Sequence, residues 1–241
     1  MNYLFHIIIM INIYIILTVS TNLMVGMANL VSLGQGAFYG IGAYMAVLSL
    51  MILDLPLIPA LILVMIATAL MSLIIAIPSL KLKDEYFILA TLGFQLIVYT
   101  ILYNWISVTR GPYGIPGIPA PKLFGAIPIS GIMPFLILST ILAVGVIFLF
   151  KLLIYSPFGR TLKGIRNDEI AVESLGRNVR YFKVLAFFIT TMFTSIAGFI
   201  YATYVSYIDP TSFNLDEAIF ILSAVIIGGT GFFEDGGENL P

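Results

Sequence analysis

Long apolar blocks, broken by short polar stretches, set the organisation of this chain. A helix crosses the roughly 30 Å hydrocarbon core of a bilayer with about 20 apolar residues. By that rule the pattern predicts helices over residues 5–25, 37–53, 57–78, 86–106, 132–154 and 184–207, with a seventh beginning near Ala218. The six complete spans hold no Asp, Glu or Arg, and one Lys, Lys151, close to the end of the fifth. No Lys or Arg precedes the first apolar run, which is too long for a signal peptide and lacks a small-residue cleavage pattern after it. It reads as a first membrane helix.

The breaks carry information of their own. Residues 156–180, SPFGRTLKGIRNDEIAVESLGRNVR, hold eight of the 23 charged side chains of the whole chain. With Lys183 they hold six of its eleven Lys and Arg, which predicts a cytoplasmic loop by the positive-inside rule. Counting back one helix puts residues 107–131, with only Arg110 and Lys122, outside, and one more puts Lys81 and Lys83 inside. The N-terminus then lies outside. The segment TRGPYGIPGIPAPKLFGAIP forbids a regular helix and predicts a turn-rich cap, either a plain connector or a surface for an external partner.

Composition agrees. The chain is 60% hydrophobic and 10% charged, with a mean hydropathy of +1.08. That is too little polar surface for a soluble domain, and the fold class is an all-α, polytopic transmembrane helical bundle forming a single domain over residues 1–241. A net charge of −1 gives no electrostatic case for nucleic acid. The absence of cysteine excludes disulfides, thiolate metal sites and a thiol nucleophile. The single histidine, His6, lies in an apolar run and reads as a satisfied interface residue. No cofactor is expected.

Three local patterns bear on function. Gly34, Gly36 and Gly40 are spaced G-x-G-x-x-x-G, which is not a dinucleotide fingerprint. Gly36 and Gly40, then Gly42 and Ala46, stand four apart, as in close helix packing or in a broken helix bordering a transport path. Thr18, Asn22, Gly26 and Asn29 are spaced for one face of the first helix, for interhelical hydrogen bonds or a substrate route. In the charged stretch, Ser156-Pro157 reads as a helix start. Leu162, Ile165, Val172, Leu175 and Val179 make an apolar stripe, Asn167 or Asp168 restarts a helix, and Gly176 ends it in a left-handed cap. Glu173 and Arg177 pair if the helix reaches that far. The stretch is either an ordinary solvated loop or a docking surface for a soluble motor.

The energy source narrows the choice. Proton-coupled carriers keep ionisable groups deep in their helices, and the complete spans have no Asp or Glu, only Lys151 near the end of one span and His6 at the start of another. Sodium held by backbone carbonyls stays open. No G-x-x-x-x-G-K-[ST] is present to cradle ATP, and no hydrolytic triad or metal cluster argues for an enzyme.

Three segments, NLVSLGQGAFYGIGAYMAVL, TRGPYGIPGIPAPKLFG and SPFGRTLKGIRNDEIAVESLGRNVRYFKVLAF with its continuation to SAVIIGG, carry a resemblance. Together they resemble the permease subunits of branched-chain amino acid ABC transporters, of the LivM type. The resemblance implies an ABC importer permease fold in a bacterial or archaeal inner membrane. It implies a coupling loop over about 155–183 whose E-A-A…G motif, matched by Glu169, Ala171 and Gly176 with Arg160 and Asp168 beside it, docks on an ATPase. It also implies partners: a LivH-type permease, two ABC ATPase subunits, an external substrate-binding protein and the lipid bilayer. Leucine, isoleucine and valine are the expected substrates, with urea, short amides or other amino acids in related systems and a stand-alone carrier as the alternative. Family members continue past the SAVIIGG match, whereas this chain ends GGTGFFEDGGENLP, which implies a C-terminal truncation or a shifted reading frame.

Overall fold

The computed structural model describes residues 2–80, 82, 84–123 and 127–229. Lys81, Lys83 and Gly125, and the C-terminal stretch with Glu234, Asp235 and Glu238, lie outside the described residues. Seven helices among the described residues are long and apolar enough to cross a membrane, and the chain is a multi-pass membrane protein.

The helices begin and end close to the predicted bounds. In order they are α1 (Asn2–Asn22, prolonged by a π-helical turn Leu23–Met27), α2 (Gln35–Val47, prolonged likewise over Leu48–Ile52), α3 (Leu57–Ser79) and α4 (Asp84–Asn104). After the short α5 (Ile106–Thr109) come α6 (Ile132–Tyr155), α7 (Pro157–Asn167), α8 (Glu169–Ser174), α9 (Val179–Val205) and α10 (Leu215–Ile227). The sixth span starts five residues earlier than predicted, because Asn178 accepts a hydrogen bond from the Tyr181 amide and so caps α9 outside the apolar block.

Position in the bundle follows from burial. The spans of α2 and α9 are 78% and 67% buried, whereas that of α6 is 22% buried, so α2 and α9 form the interior and α6 faces outward. Their crossing is built on glycine. A Cβ on Gly42 would stand 2.7 Å from Ser195 Cα, and one on Gly198 would stand 2.3 Å from the Tyr39 carbonyl oxygen. Backbone meets backbone there, as small residues allow in a membrane. The α1–α6 contact is instead a polar clasp: Asn12 Nδ2 donates to Ser139 Oγ at 3.1 Å and to Thr140 Oγ1 at 3.0 Å.

At one end of the bundle the Pro/Gly-rich connection folds into a cap of minimal strands. β1 (Ile115–Pro116) pairs antiparallel with β4 (Tyr207–Ile208) beyond α9, and β2 (Lys122–Leu123) pairs with β3 (Ile127–Pro128). Lys122 reaches Asp54, in the α2–α3 connection, at 2.8 Å. His6, near the start of α1, hydrogen-bonds through Nδ1 to the Tyr204 hydroxyl, so it is the satisfied interface residue expected.

Two stretches outside the α-helices enter the bundle, the second built on a 3₁₀ turn over Pro210–Phe213. Residues 28–34 leave α1 through Asn29 in the left-handed region (φ 52°), and the Leu33 amide donates to Thr91 Oγ1 at 3.2 Å. Residues 209–214 lead into α10, and their carbonyls at Phe213 and Asn214 accept from Gln95 Nε2 at 2.9 and 3.2 Å. Gln95 lies at the middle of α4, so α10 starts at mid-bundle depth. Irregular backbone at membrane depth is tolerated only where protein or a polar cavity satisfies it.

Candidate functional site

The charged stretch forms a compact helix–turn–helix at the bundle end opposite the cap. Ser156 Oγ accepts from the Gly159 amide at 3.3 Å and Pro157 opens α7. Gly159 is required by space: a Cβ there would lie 2.2 Å from the Ile154 carbonyl oxygen, so the chain turns tightly from α6 into α7. Asp168 ends α7 and caps α8, its Oδ1 accepting from the amides of Ile170 at 2.9 Å and Ala171 at 3.0 Å. Gly176 is left-handed at φ 78°, as the sequence predicts. Leu162, Ile165, Val172 and Val179 are buried under the unit.

Two expectations need correction. Leu175 is 80% exposed, so it leaves the predicted apolar stripe; α8 stops at Ser174 and the turn that follows rotates it outward. The same early stop means that Glu173 and Arg177 do not share a helix. Glu169 instead pairs with Lys183, joining α8 to the first turns of α9. Arg160 donates to the Tyr155 carbonyl at 3.0 Å and braces the α6–α7 bend. Ala171 and Ile170 are exposed, so α8 and the turn after it present Ile170, Ala171 and Leu175 around the bare Gly176.

Losing the Asp168 cap tests how this unit is held. Asp168→Ala removes the acceptor for two amides and should cost about 1 kcal/mol locally. Amide exchange in α8 is expected to rise about fivefold, while α9 exchange stays as it was. Unchanged exchange in α8 would show that the cap does not order it.

The predicted polar row on α1 is only partly realised. Thr18 and Asn22 line one cavity of about 310 Å³ with Val19, Ile147, Val225 and Gly228, between α1, α6 and α10. Asn29 does not join them. The π-helical turn shifts the register after Asn22, and Asn29 lies beyond the helix, exposed. Gly36 and Gly40 are packing positions here: a Cβ on Gly36 would meet Ala218 Cβ at 3.2 Å, and one on Gly40 would meet Phe213 Cβ at 3.0 Å. Gly42 meets Ser195, as described above.

Asp216 and Glu217 were missed. Placing the seventh helix near Ala218 put both outside it, yet both sit in the first turn of α10, inside a membrane-length span. The available signal was Asn214-Leu-Asp-Glu217, an Asn cap followed three residues on by Glu. Asn214 Oδ1 indeed accepts from the Glu217 amide at 3.1 Å, but the Glu217 carboxylate turns to the Tyr14 hydroxyl at 3.0 Å.

A profile of the family described as branched-chain amino acid transport system / permease component matches residues 3–237. The chain belongs to that family. Two LivM permease proteins of high-affinity branched-chain amino acid transport systems, from Escherichia coli K12 and Salmonella typhimurium, are each 33% identical to this permease-family chain, over 91% of it and 57% of their own length. A probable LivM permease from Methanocaldococcus jannaschii is 30% identical over 73% of this chain and 50% of its own. This member of the family thus spans little more than half the length of the relatives it matches. No solved structure matches it. The seven apolar helices bear out the all-α, polytopic bundle read from the apolar pattern.

Proposed function

We propose that this chain is the membrane-spanning permease subunit of an ATP-driven ABC importer for branched-chain amino acids in a bacterial or archaeal inner membrane. The observation that carries the coupling part of this reading is the exposed apolar surface of α8 and the turn that follows it. Ile170 is 77% exposed and Leu175 80%, on a rigidly capped unit otherwise rich in charge. Exposed large side chains ringed by charge fit a protein joint better than a solvated loop. In this reading α7 and α8 dock on an ATPase subunit at the cytoplasmic face, and the Glu169–Lys183 pair passes the push to α9. A second, LivH-type permease and a second ATPase complete the assembly. The cap with β1 and β4 faces outside, where a substrate-binding protein docks.

The absence of cysteine makes the test clean. Ala171→Cys, co-expressed with ATPase subunits carrying single cysteines around their membrane-facing cleft, is expected to form a disulfide whose yield changes with ATP. The absence of any crosslink, with the chain in the membrane and residue 171 open to cytoplasmic reagents, would overturn the coupling reading.

A further inference from the structure

The seam between α1 and α10 holds two cavities on one line. The inner is the roughly 310 Å³ cavity at Thr18 and Asn22. The outer is a cleft of about 450 Å³ bounded by Tyr14, Glu217, Asp216, Asn214, Phe220 and Thr211, among others. Tyr14, Thr18 and Asn22 stand four apart on α1, so the two cavities follow one helix face.

The outer cleft is unusual for its depth. Tyr14 lies at the middle of the span Tyr3–Met27, and the carbonyls that open α10 are held by Gln95, at the middle of Glu85–Asn104. The Glu217 carboxylate is therefore near the bilayer centre. An acidic side chain there costs about 3 kcal/mol on insertion scales. What it has in return is one hydrogen bond from the Tyr14 phenol. Among the described residues, no Lys, Arg or His lines the cleft. Its wall is aromatic, with Tyr14 and Phe220 in edge contact at 5.3 Å and Tyr201 donating to Ser212 Oγ beneath at 3.3 Å.

A carboxylate beside aromatic rings, with hydroxyl and amide oxygens around it, is the chemistry that holds an alkylammonium ion. The cavity beyond it offers Val19, Ile147 and Val225, with no charged group among its described lining residues, and suits a short branched hydrocarbon. We propose that Glu217, with Tyr14 and Phe220, forms a subsite that takes the ammonium end of an amino acid crossing the membrane, with the adjoining cavity taking the aliphatic side chain. The identity of the solute rests on the importer reading; the ammonium site rests on the cleft itself.

The test uses Thr211→Cys as the single thiol in the assembled transporter in membrane vesicles. Its reaction rates with aminoethyl and sulfonatoethyl methanethiosulfonate are compared, each corrected for the rate with a free thiol. The cationic reagent is expected to win by about tenfold. Adding Glu217→Gln should lower that preference about threefold, the carboxylates of Asp216 and of Asp209, which Thr211 contacts, keeping the rest; Phe220→Leu should also lower it, and saturating leucine should slow the reaction. Rates are taken per labelled molecule, so a lower membrane level of a variant does not alter them. A charge preference that is the same with Glu or Gln at 217 overturns the subsite. So does unimpaired leucine uptake by the Glu217→Gln transporter. A parent assembly that moves no leucine defeats the importer reading instead, and the thiol rates still decide the cleft.

Discussion

Gly42→Leu is expected to leave little folded protein in the membrane, and Gly145→Leu to leave normal amounts. Both changes add the same apolar side chain to a membrane helix, so insertion energetics do not separate them. The space around the new Cβ does. At Gly42 it would stand 2.7 Å from Ser195 Cα and 2.8 Å from the Ser195 carbonyl oxygen, whereas at Gly145 on α6 nothing lies within 4 Å. Backbone cannot move aside as a side-chain tip can, so α2 and α9 must separate. Separation also pulls apart the reciprocal contact of Gly198 with Tyr39 and Ala43, and strains the Thr194–Gln35 hydrogen bond of 3.1 Å. Overpacking in a close-packed core costs about 1–3 kcal/mol and sometimes more, and this site belongs at the upper end. The check is the amount of monodisperse protein extracted in mild detergent and its thermal midpoint. Equal yields and midpoints for the two variants would show that the α2–α9 crossing is not the keystone of the bundle.

That crossing was half-visible in the sequence. The small residues four apart announced a close approach, because few other uses of glycine suit a membrane helix. Which helix approaches could not be read, since Gly198 lies over 150 positions away, in a span whose own small residues Thr194, Gly198 and Ala202 repeat the spacing without naming a partner. The helices themselves were legible because span length is fixed by bilayer thickness, and the α7–α8 unit because its caps are local: Ser156, Asp168 and Gly176 each act within three residues. Leu175 and Asn29 went wrong for one reason. Each follows a break in helical register, and beyond a break the spacing of polar and apolar positions no longer names a face. Glu217 was hidden differently. Its place is set by residues 209–214 descending into the bundle, which a hydropathy pattern reads as loop.

Gly176→Trp is expected to abolish uptake by the assembled transporter while the chain folds and inserts normally. Two numbers at this residue decide the argument. The backbone is left-handed, φ 78°, and a Cβ there meets nothing within 4 Å. Any L-residue with a Cβ pays about 1–2 kcal/mol for that conformation, so Trp and Ala strain the turn alike, and in this chain the added Cβ opens into free space. A difference between them must come from something that fills the open space in the working assembly. Under the coupling reading that is the ATPase surface seated against Ala171, Leu175 and Gly176. Gly176→Asn serves as the control, since Asn enters the left-handed region readily, and is expected to keep much more uptake than Trp. The readouts are leucine uptake, membrane level, and co-purification of the ATPase. Loss of co-purification with Trp but not with Asn places the joint at this turn. Normal uptake by the Trp variant at normal membrane level would mean that the space beside Gly176 stays open during transport, and the joint would have to be sought elsewhere on the charged end of the bundle.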